Sequence, residues 1–271
     1  MIPLKDNIPT DRFPFVTVAL IVANIVVYLL AIRHGGTFFG GPDNHEVVKY
    51  GAIPYSLTHS GAPCGEFAQQ TTAGFEPIGV FCNGQTLPDG TVAHISSVGT
   101  LPAWQTVFTA MFMHASFLHI AGNMLFLWIF GNNVEDSMGP VKYIFFYLLG
   151  GIAALALQVA VDPTSTAPTI GASGAIAAVL GGYIVLYPRA RVLTLVFIIL
   201  FFTVIELPAW VMLGIWFLQQ AIFGAVGLTT PTGGGGGVAY FAHIGGFAFG
   251  GLAIRALATK RKQVPPPYSV P

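Results

Sequence analysis

Hydrophobic residues along the chain are gathered into long runs that polar and charged stretches separate. A helix needs about 17 to 25 apolar residues to cross a bilayer. The chain contains six runs of that kind, and each predicts a membrane-spanning helix. They are Phe13–Ile32, Phe117–Val134, Tyr143–Val161, Ile170–Tyr187, Leu207–Leu228 and Val238–Ile254.

A seventh apolar run covers Val192–Ile205. As a helix it is too short to cross about 30 Å of hydrocarbon. We expect residues 192–205 to form an interfacial helix or to extend a neighbouring span, and a seven-span count stays open. The chain shows no internal repeat, which disfavours a transporter built from duplicated halves.

The composition supports a membrane protein. Of the 271 residues, 54% are hydrophobic and only 8% are charged, whereas soluble domains carry roughly 25% charged residues. The expected fold class is therefore all-α and polytopic. The formal net charge is zero, which gives no reason to expect a nucleic-acid partner.

The lysines and arginines favour one orientation. With the N-terminus in the cytoplasm, nine of the eleven fall on the inner side, and only Arg33 and Lys49 fall outside. The positive-inside rule predicts this arrangement. Residues 1–12 would then be a cytoplasmic N-terminus, residues 13–258 the membrane domain and residues 259–271 a disordered cytoplasmic tail.

The first apolar run is expected to be a retained span. Its apolar core exceeds the 7 to 15 residues usual for a signal peptide, and no A-x-A-like cleavage site follows it. The N-terminus also lacks an Arg- and Ser-rich transit peptide, so the bacterial plasma membrane is the expected location.

The long segment 33–104 lies outside in this topology and contains both cysteines. Cys64 and Cys82 would form a disulfide in an oxidising compartment, the alternative being two unpaired thiols. Five glycines at 233–237 predict a flexible linker before the last span. This linker either acts as a gate or only provides spare chain length.

Polar side chains within three spans are functional candidates, because such groups are costly in a bilayer. His119 and Asn123 are four residues apart, so they share one helix face. An interhelical polar contact is the alternative for this pair.

Ser173 lies between small residues at the start of the fourth run, where it is either a helix cap or a nucleophile. The free N–H groups and the positive dipole end of a helix N-terminus suit a developing oxyanion. Ser173, Ala177 and Gly181 recur every four residues and give the helix a small face, which allows a neighbouring backbone to approach closely.

The sixth run contains His243, Gly246 and Gly250 on one face, and the two glycines form a G-x-x-x-G pattern. Two small-faced helices would bring Ser173 and His243 together as a nucleophile–base dyad. His119, Asn123 and the Ser173 N–H would stabilise the oxyanion. His114, His119 and His243 are alternative metal ligands, but no H-E-x-x-H motif occurs, so no metal is expected.

These residues resemble the rhomboid family of intramembrane serine proteases over about residues 100–258. The resemblance rests on four motifs. They are G-x-S-G at Gly171–Gly174, H-x-x-x-N at His119–Asn123, A-H-x-x-G-x-x-x-G at Ala242–Gly250 and G-x-x-x-E at Gly131–Glu135.

The resemblance implies a six-helix bundle whose active site opens outward. It implies Ser173 as nucleophile, His243 as general base, and His119 and Asn123 as oxyanion donors, with Gly171, Gly174, Gly246 and Gly250 in helix packing. The implied substrates are single-span membrane proteins in a lipid setting, cut after a small residue and without a cofactor. The oligomeric state is left open.

Two positions depart from the family pattern. Gln105 follows Trp104 where many members have arginine, and Ala177 stands where many have an aromatic residue that packs on the histidine ring. We therefore expect other side chains to position His243. A silent relative that binds membrane clients is the alternative function. Movement of the fifth span and of the loop that carries the glycine run is the hypothesis for substrate entry.

Overall fold

The computed structural model describes residues 1–71, 74–96, 100–198, 201–229 and 238–264, and most of them are helical. The helices are α1 (Phe15–Ala31), α2 (Asn44–Tyr50), α3 (Pro54–Thr58), α4 (Ala103–Thr109), α5 (Phe117–Phe126), α6 (Asn132–Met138), α7 (Pro140–Val161), α8 (Ser173–Leu186), α9 (Ala209–Thr229) and α10 (Tyr240–Leu257). The strands are β1 (Ile2–Asp6), β2 (Cys64–Thr71), β3 (Gly74–Cys82), β4 (Arg191–Ile198) and β5 (Phe201–Pro208). The glycine run at 233–237 lies outside the described residues.

Local sequence explains several helix boundaries. Ser116 caps α5, because its hydroxyl accepts a hydrogen bond from the His119 N–H at 3.2 Å. Gly139 ends α6 with a φ of +84°, which a glycine adopts without strain. Pro140 then begins α7, where its missing N–H costs nothing. A wide helical turn at Leu127–Gly131 joins α5 to α6.

In the described part of the chain, four helices are long and apolar enough to cross a membrane. They are Phe15–His34, Pro140–Val161, Ala209–Gly227 and Tyr240–Leu257. A fifth span results if Ala103–Phe112 and Phe117–Met138, which meet at a bend of 79°, count as one. The predicted count of six is not confirmed.

The fourth predicted span is shorter than its apolar run suggested. α8 has 14 residues, or about 21 Å of helix, which is less than the bilayer core. The run was expected to begin at Ile170, but Ile170 to Ala172 belong to a non-helical connection that leads into Ser173. The nucleophile candidate therefore lies at the first residue of a short, central helix.

The prediction of a helix at 192–205 was wrong, and a purely α fold is wrong with it. β4 and β5 form an antiparallel hairpin there, and β1 adds to it in the order β1-β4-β5. The run is rich in β-branched and aromatic residues, which favour strands. Length alone had been used to interpret it. Val192 and Thr194 are buried, whereas Phe197, Phe201 and Phe202 are exposed.

α8 is the centre of the bundle and is buried from Gly174 to Tyr183. It packs between α7 and α10. A helix in such a central position is buried on all sides and therefore needs apolar residues on every face. A Cβ on Gly246 or Gly250 would overlap the carbonyl oxygen of Gly174 or Ala178. The two helices touch backbone to backbone because these positions carry no side chain.

A buried carboxylate anchors the start of α1. Glu135 accepts hydrogen bonds from the Val16 N–H at 3.0 Å, and from the Thr17 N–H and hydroxyl at 2.8 Å each. These N–H groups have no partner within their own helix, and a negative charge is favourable at the positive end of its dipole. Glu135 thus ties α6 to the first span.

A second buried carboxylate joins β1 to α8 at the end opposite Ser173. Asp6 accepts hydrogen bonds from the Tyr183 hydroxyl at 2.5 Å and the Asn133 amide at 2.8 Å. Burial outweighs these bonds and raises the pKa of Asp6 from 3.8 to about 6. The N-terminal strand is therefore attached to the central helix through a group that titrates near neutrality.

The chain after α10 is packed against the bundle. In residues 259–264, Arg261 Nε donates to the Leu186 carbonyl at 2.8 Å, and the Lys262 ammonium pairs with Asp136. The expectation of a disordered tail does not hold for these six residues. The rest of the tail lies outside the described part.

The segment 33–104 contains the β2–β3 hairpin, which the Cys64–Cys82 disulfide closes. The segment also packs on the connection into α8, because Ala52 and Thr169 exchange backbone hydrogen bonds at 3.0 and 2.8 Å. It therefore helps to hold the chain that precedes Ser173.

Neighbouring glycines on α10 provide a test of the α8–α10 contact. Gly250→Ala should destabilise the protein by about 1–3 kcal/mol, because the new methyl overlaps a backbone carbonyl. Gly251→Ala is the control, since its Cβ would lie 3.6 Å from the nearest atom, the Gly181 carbonyl oxygen. Thermal unfolding in detergent measures both, and equal melting temperatures would contradict the close contact.

Asp6 should make stability depend on pH. Folded Asp6 keeps its proton up to about pH 6, whereas unfolded Asp6 loses it near pH 4. The native state binds more protons between these values, so this group's contribution to stability falls as pH rises through that window. The melting temperature of Asp6→Asn, relative to wild type, should rise from pH 4 to pH 7. The contribution of Asp6 to the free energy of unfolding changes by up to about 3 kcal/mol over this range. A constant difference would contradict the raised pKa.

Candidate active site

The backbone before α8 turns sharply to present Ser173. Gly171 has a φ of +117°, a left-handed value that favours glycine, and its N–H donates to the Ala110 carbonyl at 2.8 Å. Within α8 the Ile176 N–H is bonded to the Ala172 carbonyl at 2.9 Å. The N–H groups of the first turn, including that of Ser173, point out of the helix N-terminus and suit an anion.

His243 reaches Ser173 from α10. Its Nε2 lies 2.8 Å from the Ser173 Oγ, which is hydrogen-bonding distance between a nucleophile and its base. This distance depends on the glycine contact between α8 and α10, since Gly246 lies one turn beyond His243 and faces the Gly174 carbonyl.

Two residues of α9 hold the other side of the imidazole, and the sequence analysis missed both. His243 Nδ1 lies 2.8 Å from the Gln220 Oε1, and the Trp216 ring packs at a centroid distance of 5.7 Å from that of His243. The departure at Ala177 had indicated that other side chains must position the histidine. Trp216 and Gln220 are four residues apart, which places them on one helix face but does not identify the helix that this face meets.

His119 lies on the other side of the nucleophile. The Ala115 N–H donates to His119 Nδ1 at 3.4 Å, which leaves Nε2 as the protonated nitrogen. A Cβ placed on Gly171 would lie 2.9 Å from that Nε2 and 3.5 Å from the Ser173 Oγ. An N–H donor therefore faces the backbone turn beside the hydroxyl.

Asn123 lies one turn farther along α5 and is buried. Its Nδ2 has no hydrogen-bond partner among the residues that the structure describes. An unpaired buried donor costs about 1–3 kcal/mol, and such a group is available to bind an oxygen that develops negative charge.

His114 has a structural role in this arrangement. The Ala172 N–H donates to its Nε2 at 3.5 Å, and its Nδ1 lies 3.2 Å from the Phe112 carbonyl oxygen. Both ring nitrogens are therefore occupied by the backbone around the nucleophile. Within the described ranges, no group of three or more His, Cys, Asp or Glu side chains is placed to hold a metal.

A cavity opens beside Ser173, between α7, α8 and the end of α4. Its walls are mostly apolar, with small residues at Gly151, Ala154, Ala175 and Ala242 and a larger one at Met111. A space of this kind accepts a small side chain more readily than a large one.

Known proteins share sequence with parts of this chain. The Rhomboid domain family matches residues 102–260. Mitochondrial Rhomboid protein 1 of Saccharomyces cerevisiae is 30% identical over 167 residues, which cover 58% of this chain and 44% of the yeast protein. Mitochondrial RHOMBOID-like protein 12 of Arabidopsis thaliana is 29% identical over 164 residues, which cover 55% and 45%.

A shorter match is to the Rhomboid protease GluP of Bacillus subtilis. It is 35% identical over 78 residues, which cover 29% of this chain and 15% of that protein. The chain thus matches less than half of the length of each of these three relatives.

The geometry predicts that Ser173 reacts with a fluorophosphonate probe. Labelling should be lost in Ser173→Ala and fall at least about 100-fold in His243→Ala, because no base then takes the hydroxyl proton. Ser137→Ala is the control, since that buried hydroxyl donates to the Val134 carbonyl. Mass spectrometry of the labelled peptide checks the position, and labelling elsewhere would contradict an activated Ser173.

Proposed function

The chain belongs to the rhomboid family and is a multi-pass integral membrane protein, and we propose that it is an intramembrane serine endopeptidase. The observation that carries the proposal is the 2.8 Å contact between Ser173 Oγ and His243 Nε2 at the start of α8. The family includes a protein named as a protease, and both groups that the chemistry needs are present here.

The first half of the reaction forms an acyl-enzyme. His243 Nε2 takes the hydroxyl proton while Ser173 Oγ attacks the carbonyl carbon of the scissile peptide bond. The resulting oxyanion is stabilised by the Ser173 N–H, with His119 and Asn123 as further donors. The imidazolium then gives its proton to the leaving nitrogen, the C–N bond breaks, and an amine product departs.

The second half releases the acyl group. His243 takes a proton from a water molecule, whose oxygen attacks the ester carbon and forms a second tetrahedral intermediate. The proton returns to Ser173 Oγ as the C–O bond breaks, and a carboxylic acid leaves. The enzyme returns to its starting state, and no cofactor takes part.

The proposed substrates are single-span membrane proteins. Polar catalytic groups at the partly buried start of α8 suit a peptide bond presented within or beside the membrane. The small-walled cavity beside Ser173 supports cleavage after a small residue. The proposal of these substrates rests on the family resemblance together with the shape of the cavity.

We propose an orientation with both termini in the cytoplasm. β1 and the segment 259–264 lie at the end of α8 opposite Ser173, and this end carries most of the lysines and arginines. The positive-inside rule then directs the active site away from the cytoplasm. Relatives with mitochondrial and chloroplast names give no support to the expected bacterial plasma membrane.

The decisive experiment is cleavage of a single-span test substrate by the purified full chain in lipid. Wild type should cleave, and Ser173→Ala and His243→Ala should lose at least about 1,000-fold in rate because the dyad acts as a unit. Asn123→Ala should lower kcat by about 10- to 1,000-fold, because one oxyanion donor is removed.

The outcomes separate the alternatives. Equal cleavage by wild type and both dyad variants would rule out the serine mechanism. Absence of cleavage together with absence of probe labelling would favour a silent, client-binding relative.

A further inference from the structure

We propose that Gln220 is a positioning residue for the general base, one that holds the His243 ring in the tautomer that accepts the serine proton. This inference rests on the proposed function. Gln220 is buried on α9, and its Oε1 lies 2.8 Å from His243 Nδ1. Catalytic histidines need such a partner because the group on one ring nitrogen decides which nitrogen carries the proton.

The orientation of the amide is fixed by its own helix. Gln220 Nε2 donates to the Trp216 carbonyl at 3.2 Å, one turn back along α9. A flipped amide would place Oε1 against the Trp216 carbonyl oxygen, which is also an acceptor, so Oε1 is the atom that faces the imidazole. An oxygen can only accept, so His243 Nδ1 must be the protonated nitrogen.

This tautomer is the one that general-base catalysis requires. With the proton on Nδ1, Nε2 presents its lone pair to the Ser173 hydroxyl at 2.8 Å. The opposite tautomer would direct an N–H at that hydroxyl, and the serine proton would have no acceptor. The cost of the wrong tautomer is large, since changing the orienting Asp of a Ser-His-Asp triad to Asn lowers kcat about 10,000-fold.

A neutral amide suits this position in the membrane. A carboxylate there would be a buried charge in an apolar helix, which is expensive unless it is paired. Glutamine supplies the acceptor oxygen without that charge. Trp216 packs against the same ring, so α9 provides both the hydrogen bond and the aromatic contact, while Ala177 on α8 provides neither.

The chain contains its own control for this role. Gln219 is adjacent to Gln220 on α9 but is exposed. Substitution of either residue removes one amide from the same helix turn. A general need for polarity on α9 would affect both positions, whereas a positioning role affects Gln220 alone.

The test uses Gln220→Met, Gln220→Glu and Gln219→Met in the full-length protein in lipid. Methionine keeps the length and packing of glutamine but lacks a strong acceptor, and glutamate keeps the acceptor oxygen. We expect Gln220→Met to lower kcat by about 10- to 100-fold, less than the triad case because the lost partner is neutral. The KM of Gln220→Met should stay within about twofold of wild type, and so should the kcat and the KM of Gln219→Met.

Gln220→Glu should rescue the reaction. Its kcat at neutral pH should return to within about fivefold of wild type, and the acid limb of its pH–rate profile should move to higher pH, because a carboxylate favours the imidazolium. A role confined to helix packing would not produce this rescue or this shift. Wild-type kcat in Gln220→Met would overturn the proposal, as would a folded Gln220→Glu no more active than Gln220→Met.

A second measurement keeps the inference separate from the proposed function. Nitrogen-15 NMR of the histidine ring, assigned by comparison with His243→Ala, distinguishes protonated from unprotonated ring nitrogens without turnover. Nδ1 should be protonated in wild type and mixed in Gln220→Met. If wild type is inactive but His243 Nδ1 is protonated, the proposed protease function is refuted and the role of Gln220 in positioning His243 stands. If wild type is protonated at Nε2, the positioning role of Gln220 is overturned.

Discussion

The backbone contact between α8 and α10 is the constraint on which the rest of the structure depends. Gly246 and Gly250 allow the two helices to touch at the carbonyls of Gly174 and Ala178. At ordinary helix separations of about 8–10 Å, with side chains between the helices, the Ser173 hydroxyl would be out of reach of His243. The 2.8 Å distance between Ser173 Oγ and His243 Nε2 is thus a consequence of two absent side chains.

Around this contact, His243 and His119 are each oriented by a hydrogen bond from another part of the chain. Gln220 on α9 holds His243, and the Ala115 N–H holds His119 with its donor nitrogen toward the site. Backbone groups of the 162–172 connection are bound in turn by Ala52 and Ala110. Such supporting contacts maintain catalytic geometry more precisely than the reacting groups could alone.

In the part of the chain that the structure describes, the buried carboxylates have hydrogen-bond or ion-pair partners. Glu135 satisfies the N-terminus of α1, and Asp6 is bound by Tyr183 and Asn133. Both lie at the end of α8 opposite Ser173, together with β1 and residues 259–264. The proposed dyad of Ser173 and His243 is bound by the amide of Gln220 and not by a carboxylate, and an apolar environment tolerates an amide at a lower cost than an ion.

The sequence by itself determined the membrane class, most helix positions and the candidate residues Ser173, His243, His119 and Asn123, because apolar length and four-residue spacing are local properties. The β4–β5 hairpin was misread, since a short apolar run suits a strand or a helix equally in length. Gln220 was missed because it and its neighbour Gln219 are the same residue type, so the sequence does not distinguish them. Only the tertiary structure decided which of the two faces His243, since burial and hydrogen bonding arise from the packing of α9 on α10, which no local pattern records.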